Sequence, residues 1–139
     1  MCQESQRLIF FLTLILIDQT AKYLVLTYFP QFVVFNQGIS FGLYPSSDWL
    51  KINFLVICSI VFLLPQSKAR SLIISGGIGN ILDRLIRGGV VDFIDLRRFF
   101  RLSDFVLPIF NLADVFICLG VGLLILNSLY KIISTSKED

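Results

Sequence analysis

Histidine is absent from the 139-residue chain, and no other feature of its composition removes as much chemistry. Without it no Ser-His-Asp or Cys-His nucleophile system can be assembled. Nor can a His-ligated metal site, such as that of the H-E-x-x-H zinc hydrolases. Charge is scarce too: Asp, Glu, Lys and Arg supply 16% of the residues, against roughly 25% in an ordinary soluble domain. A net charge of +2 is too small to point to nucleic acid as a partner. The three cysteines, Cys2, Cys58 and Cys118, show no C-x-x-C pattern and no disulfide framework. Cys58 and Cys118 lie in apolar runs and read as small buried hydrophobes. What the chain has in plenty is apolar surface, 55% of its residues and 14 Phe among them, which excludes a disordered chain. Its length excludes a large multidomain protein, and residues 1–139 read as a single domain. Any catalysis would have to rest on carboxylates, Lys, Ser, Thr, Cys or Tyr.

Hydropathy divides the chain into four apolar blocks: Leu8 to about Phe29, about Trp49 to Leu64, about Ser71 to Ile86, and about Ile109 to Ile133. A bilayer core of ~30 Å needs ~20 helical residues. The first and last blocks qualify easily. The second is short and stops at Pro65, and the third spans only if it continues through Arg84 and Arg87. A soluble helical protein would carry polar faces at 3.6 spacing, and Val115 to Leu126 carries none. The pattern predicts an all-α membrane protein of four transmembrane helices. The first block could be a signal peptide, but no A-x-A-like site follows it and the apolar run continues past Lys22, so an uncleaved helix is the better reading. Flanking Lys and Arg residues divide five against five between the two membrane faces, so the positive-inside rule gives no orientation. Residues 30–48, with Pro30, Gly38, Gly42 and Pro45 among alternating apolar residues, predict short strands and turns, a small β-rich segment. Arg97 to Arg101, with Phe99 and Phe100, read as an interfacial stretch for the headgroup layer.

Ionisable residues inside apolar helices are the informative signal, because each costs ~2.5–3.5 kcal/mol at the bilayer centre on insertion scales. Asp18 and Lys22 form an acid-before-base pair four residues apart. That pair is either a salt bridge anchoring the helix end or part of the chemistry. Asn80, Asp83, Arg84 and Arg87 share one face at the end of the third block, after Gly76, Gly77 and Gly79, which permit close helix approach. Headgroup snorkelling explains Arg87 well and Asn80 poorly. A face that grips peptide carbonyls is the alternative. Asp92 is flanked by apolar residues in Gly89-Val-Val-Asp92-Phe-Ile-Asp95, and Asp114 begins the last block, where Asn111 suits an N-cap with Asp114 at N3. Each has a plain explanation, as a loop carboxylate and as a cap. If the third and fourth helices are antiparallel, both fall at one membrane surface, where two carboxylates in a low-dielectric site share one proton. Such a pair can activate water with one member and protonate with the other, and it titrates as a pair. On the residues alone, an ion- or proton-coupled membrane protein and a purely structural one remain open.

Five pieces of sequence together resemble lipoprotein signal peptidase, the type II signal peptidase family of bacteria. They are Asp18-Gln19-x-x-Lys22, Asn36-x-Gly38-x-Ser40-Phe41-Gly42, Gly79-Asn80-x-x-Asp83-Arg84, Val90-Val91-Asp92-Phe93-Ile94-Asp95 and Phe110-Asn111-x-Ala113-Asp114. They occur in the family's order over about residues 8–130. The first has Ala where many members have Thr before Lys, and the second has Ile39 and Ser40 where Ala is frequent. The resemblance implies an intramembrane aspartyl peptidase of four helices, needing no cofactor or metal. It would remove the signal peptide from a diacylglyceryl-modified prolipoprotein by cutting just before the lipidated Cys. By the same resemblance Asp92 and Asp114 are catalytic and Asn36, Asn80, Arg84 and Asn111 contact or position substrate. Asp18, Lys22, Gly38 and Asp83 are supporting. The implied setting is the bacterial cytoplasmic membrane, with both termini cytoplasmic and the active site near the outer surface. The implied partners are lipidated prolipoproteins, membrane lipids and cyclic-peptide inhibitors of the globomycin type.

Overall fold

In a computed structural model, which describes residues 3–37, 59, 63, 67–97 and 108–136, the first apolar block forms helix α1, Gln3–Tyr28. At 1.5 Å per residue its 26 residues span about 39 Å, enough to cross a bilayer core. Its buried residues are Leu14, Asp18 and Lys22, a single stripe at four-residue spacing, while Leu8, Ile9, Leu12, Leu16, Ile17 and Leu24 point outward. This is the reverse of a soluble helix. Polar groups face the protein, and apolar groups face the surroundings, as suits lipid.

Helix α2, Lys68–Arg87, starts at Ser67, whose hydroxyl accepts the Arg70 backbone N–H at 3.2 Å. It ends where Gly88 takes a left-handed conformation, φ 77°, and returns its N–H to the Arg84 carbonyl, a turn that a side chain would strain. The helix starts before the expected block and runs through both Arg84 and Arg87. Helix α3, Leu112–Thr135, is opened by Asn111 and Asp114 in a reciprocal capping box. Both α1 and α3 are long and apolar enough to cross a membrane.

Small residues set the packing of α2 on α3. A Cβ on Gly120 would lie 2.7 Å from the Ala69 carbonyl and 2.6 Å from the Ile73 side chain. One on Gly76 would collide with the Ala113 carbonyl and lie 2.7 Å from Ile117. The start of α2 therefore faces the middle of α3, and the middle of α2 faces its start, so the two helices are antiparallel and nearly in backbone contact. Gly79 does the same for α1: its Cβ would lie 2.7 Å from Asp18 Oδ2. Packing of α2 between α1 and α3 leaves α2 with the most buried residues of the described helices.

After α1 come a short 3-10 turn, Pro30–Phe32, and strand β1, Val34–Asn36. Strand β2, Val90–Asp92, follows α2 and pairs antiparallel with β1, placing Val34 opposite Asp92 and Asn36 opposite Val90. Beyond β2, Ile94 and Phe110 exchange backbone hydrogen bonds of 2.8 and 3.1 Å. These tie the segment carrying Asp92 to the one that opens α3. The expected second helix (about residues 49–64, apart from residues 59 and 63), the stretch Arg98–Arg101, and Gly38 with residues 39–48 lie outside the described residues. Cys118 is corrected: it is exposed, because a membrane helix turns its apolar run outward.

Candidate active site

Asp92 ends β2 and is 3% exposed. Its Oδ1 accepts the Asn111 Nδ2–H at 2.6 Å and its Oδ2 accepts the Asn36 Nδ2–H at 3.1 Å. Asn36 reaches it diagonally across the ribbon, since residues two apart on a strand share a face. Asp114 stands in the first turn of α3. Its Oδ2 accepts the Asn111 backbone N–H at 3.2 Å, which closes the capping box, and its Oδ1 accepts the Asn80 Nδ2–H at 2.8 Å. Asn111 joins the two carboxylates. Besides bonding Asp92, its Nδ2 donates to Asn80 Oδ1 at 3.1 Å, and its own Oδ1 accepts the Asp114 N–H at 3.1 Å. Asp92 and Asp114 line one cavity of about 280 Å³ together with Asn36, Asn80 and Arg84. Burial pushes the Asp92 carboxyl up to about 6, and the Asp114 charge adds to the rise against the hydrogen bonds from Asn111 and Asn36.

Arg84 supplies the opposite charge. It is 9% exposed, donates to the Asn80 carbonyl at 3.4 Å, and lies within electrostatic reach of Asp92, Asp114 and Asp83. Asn36 thus bonds Asp92, Asn80 bonds Asp114, and Asn111 and Arg84 lie near both.

Asp18, Lys22 and Asp83 lie beside this site, in a buried cluster joined to it through Asn80. Lys22 is fully buried, and its three N–H bonds go to Asp18 Oδ2 at 2.9 Å, Asp83 Oδ2 at 2.8 Å and Asn80 Oδ1 at 3.1 Å. Asp18 Oδ1 in turn accepts the Ala113 N–H at 2.9 Å, holding the N-terminus of α3, where a negative group is favoured. Asp83 Oδ2 accepts the Val91 N–H at 3.1 Å, holding β2. The Asp18–Lys22 pair therefore does more than anchor a helix end, since it is joined to α2 and α3.

Two members of this cluster were given no such part by sequence reasoning. Gln19 Nε2 shares its two hydrogens among Asp18 Oδ2, the Gly79 carbonyl and Asp83 Oδ1, each at 3.1–3.2 Å. Arg87 has an inward partner: the same nitrogen, NH1, pairs with Asp83 Oδ1 and donates to Gln19 Oε1 at 2.9 Å. The i,i+4 spacing of Asp83 and Arg87 was the available signal.

The profile of signal peptidase II matches residues 10–130. The chain belongs to the signal peptidase II family. Among curated relatives, the lipoprotein signal peptidase of Rickettsia felis is 37% identical over 88% of this chain and 72% of its own length. That of Rickettsia canadensis is 36% identical, over 98% and 81%. Among solved structures, a bacterial membrane enzyme determined by the in meso method superposes with a TM-score of 0.72 at 28% identity, covering 97% of this chain and 93% of that one. A signal peptidase II is a peptidase and a membrane protein, and the outward apolar faces of α1 and α3 agree with that setting.

Proposed function

We propose that this signal peptidase is an aspartyl endopeptidase that removes the signal peptide from diacylglyceryl-modified prolipoproteins, cutting just before the lipidated Cys. The observation that carries the reading is that Asp92 and Asp114 line one cavity and are joined behind it through the buried Asn111 side chain. In the proposed mechanism Asp114, at a helix N-terminus that favours negative charge, is the carboxylate. It takes a proton from the water whose oxygen attacks the scissile carbonyl carbon. Asp92, the more deeply buried, carries the proton that passes to the carbonyl oxygen. Collapse of the tetrahedral intermediate then breaks the C–N bond: the leaving nitrogen takes the proton held by Asp114, and the hydroxyl that becomes the new carboxyl oxygen returns a proton to Asp92, which restores both groups. General acid–base catalysis of this kind supplies ~10²–10⁴-fold. Asn36, Asn80 and Arg84 hold the substrate backbone in place, which supplies positioning and electrostatics. Asp18, Lys22 and Asp83, with Gly38, are supporting residues in this scheme.

The same reading has four transmembrane helices in the bacterial cytoplasmic membrane, both termini cytoplasmic and the dyad near the outer surface. The acyl chains of the substrate lie along apolar helix faces, where burial at ~0.8 kcal/mol per CH₂ selects the lipidated form. Cyclic peptides of the globomycin type would compete for the dyad cavity. The test is cleavage of a diacylglyceryl-modified prolipoprotein in detergent by Asp92→Asn and Asp114→Asn, each first checked for a wild-type melting profile. Each variant is expected to lose at least ~100-fold in turnover. Near wild-type turnover in either would remove the dyad.

A further inference from the structure

We propose, resting on the peptidase reading above, that Arg87 and Gln19 are positioning residues. They fix Asp83 so that it can hold the strand that carries Asp92. The side chain of Asp83 is fully buried and takes four donors from three elements. Its Oδ1 receives Gln19 from α1 and Arg87 from its own helix, and its Oδ2 receives Lys22 from α1 and the Val91 backbone N–H from β2. The last contact is the one that reaches the reaction. Val91 is wholly buried between Val90 and Asp92, both of which line the cavity. β2 is only three residues long, and its pairing with β1 is its one ladder among the described residues. The Asp83 carboxylate is thus a side-chain tether at the strand's midpoint, one residue before the reacting carboxyl.

Arg87 and Gln19 determine whether that tether stays in place. Asp18 and Asp83 carry two negative charges, balanced by Lys22 and Arg87. Removal of Arg87 leaves this buried group with one unbalanced negative charge and leaves Oδ1 of Asp83 with Gln19 alone. The carboxylate is then less firmly held against turning about Cβ–Cγ, and its bond to the Val91 N–H weakens. Gln19 stops that rotation from the other side, since its amide spans Asp83, the Gly79 carbonyl and, through its oxygen, Arg87. Neither residue lines the cavity, so substrate binding should be spared. A displacement near 1 Å at the reacting group can cost ~100-fold in rate.

The experiment compares Arg87→Met, Arg87→Lys and Gln19→Leu with wild type on the lipidated prolipoprotein, with amide hydrogen exchange read at Val91. Arg87→Met is expected to lower kcat ~10- to 100-fold with KM within about two-fold, and to speed Val91 exchange. Because one nitrogen makes both Arg87 bonds, Arg87→Lys should recover most of the kcat and the protection. Gln19→Leu keeps all the ion pairs of the cluster. It should shift kcat and exchange in the same direction by less, and it carries the test if Arg87→Met does not fold. A folded Arg87→Met, or in its place Gln19→Leu, with wild-type kcat and Val91 protection overturns the assignment. So does an Arg87→Lys enzyme as slow as Arg87→Met. Loss of the peptidase reading would look different: wild type itself, or Asp92→Asn against wild type, would show no dependence on the dyad.

Discussion

Replacing Lys22 by Met removes an ammonium that is fully buried and bonded to Asp18, Asp83 and Asn80, while keeping a flexible apolar stem of similar length. The size of the effect follows from what is left behind. Asp18 and Asp83 would remain as two buried carboxylates with Arg87 as the one cation directly paired with either among the described residues. Breaking a buried ion pair from one side costs about 3–5 kcal/mol. The variant's cheapest escape is to protonate one carboxylate. At pH 7 that costs roughly 4 kcal/mol for a group whose ordinary value is near 3.9, so the two estimates agree. The escape also fixes a pH dependence. The folded variant would hold a proton that the unfolded chain has released, so its stability falls as pH rises, by about 1.4 kcal/mol per pH unit above the ordinary carboxylate range. Thermal unfolding in detergent at pH 5 and pH 7 reads this directly. The expected loss in Tm at pH 7 is on the order of 10 °C, and most of it should be regained at pH 5. A penalty below about 1 kcal/mol, or one independent of pH, would refute the claim that Lys22 neutralises a dry carboxylate pair.

Two further outcomes follow from the site. Asp92 is the proposed acid and its carboxyl is pushed up to about 6. Its proton is therefore present below that value and lost above it, and kcat/KM should fall as pH rises through about 6; a rate that rises through the same range would exchange the roles of Asp92 and Asp114. Asn111→Ser keeps a side-chain oxygen to cap the Asp114 N–H but has no amide to bond Asp92. It should keep stability within ~1 kcal/mol of wild type while losing most activity, whereas Asn111→Ala should lose both, as melting and cleavage assays on the pair would show.

Much of the site is legible in the sequence because its residues are expensive where they stand. An Asp or Lys in an apolar run needs a partner, and the spacing of Asn80, Asp83, Arg84 and Arg87 already places them on one face. Spacing does not tell which neighbour each one meets. Asn80 reaches Asp114 as well as Lys22, whereas Asp83 meets Lys22 and the Val91 N–H, although they are one turn apart. The reach of Lys22 to Asp83 is a tertiary contact that no local pattern encodes. Cys118 misleads for a related reason. Apolar runs mean burial in a soluble chain, but apart from Leu14 the buried positions of α1 and α3 are charged or small, namely Asp18, Lys22, Ala113 and Gly120, and most of the large apolar ones face outward.

Asp114 shows why a structural and a functional explanation of one residue need not compete. As a cap it uses Oδ2, bonded to the Asn111 N–H, and as a site residue it presents Oδ1 toward Asn80 and the cavity. The cap fixes the carboxylate's rotation without consuming both oxygens. Asn111 divides in the same way, giving its oxygen to the helix and its amide to Asp92 and Asn80. The helix start is itself held by Asp18 through the Ala113 N–H, and β2 is held by Asp83 through Val91. Lys22 lies between those two aspartates. The separation of Asp92 from Asp114 is therefore set by one buried ammonium and its two carboxylates as well as by the asparagines between them. A dyad that shares a proton depends on that separation being held, since the coupling between two charges varies inversely with distance and grows as water is excluded.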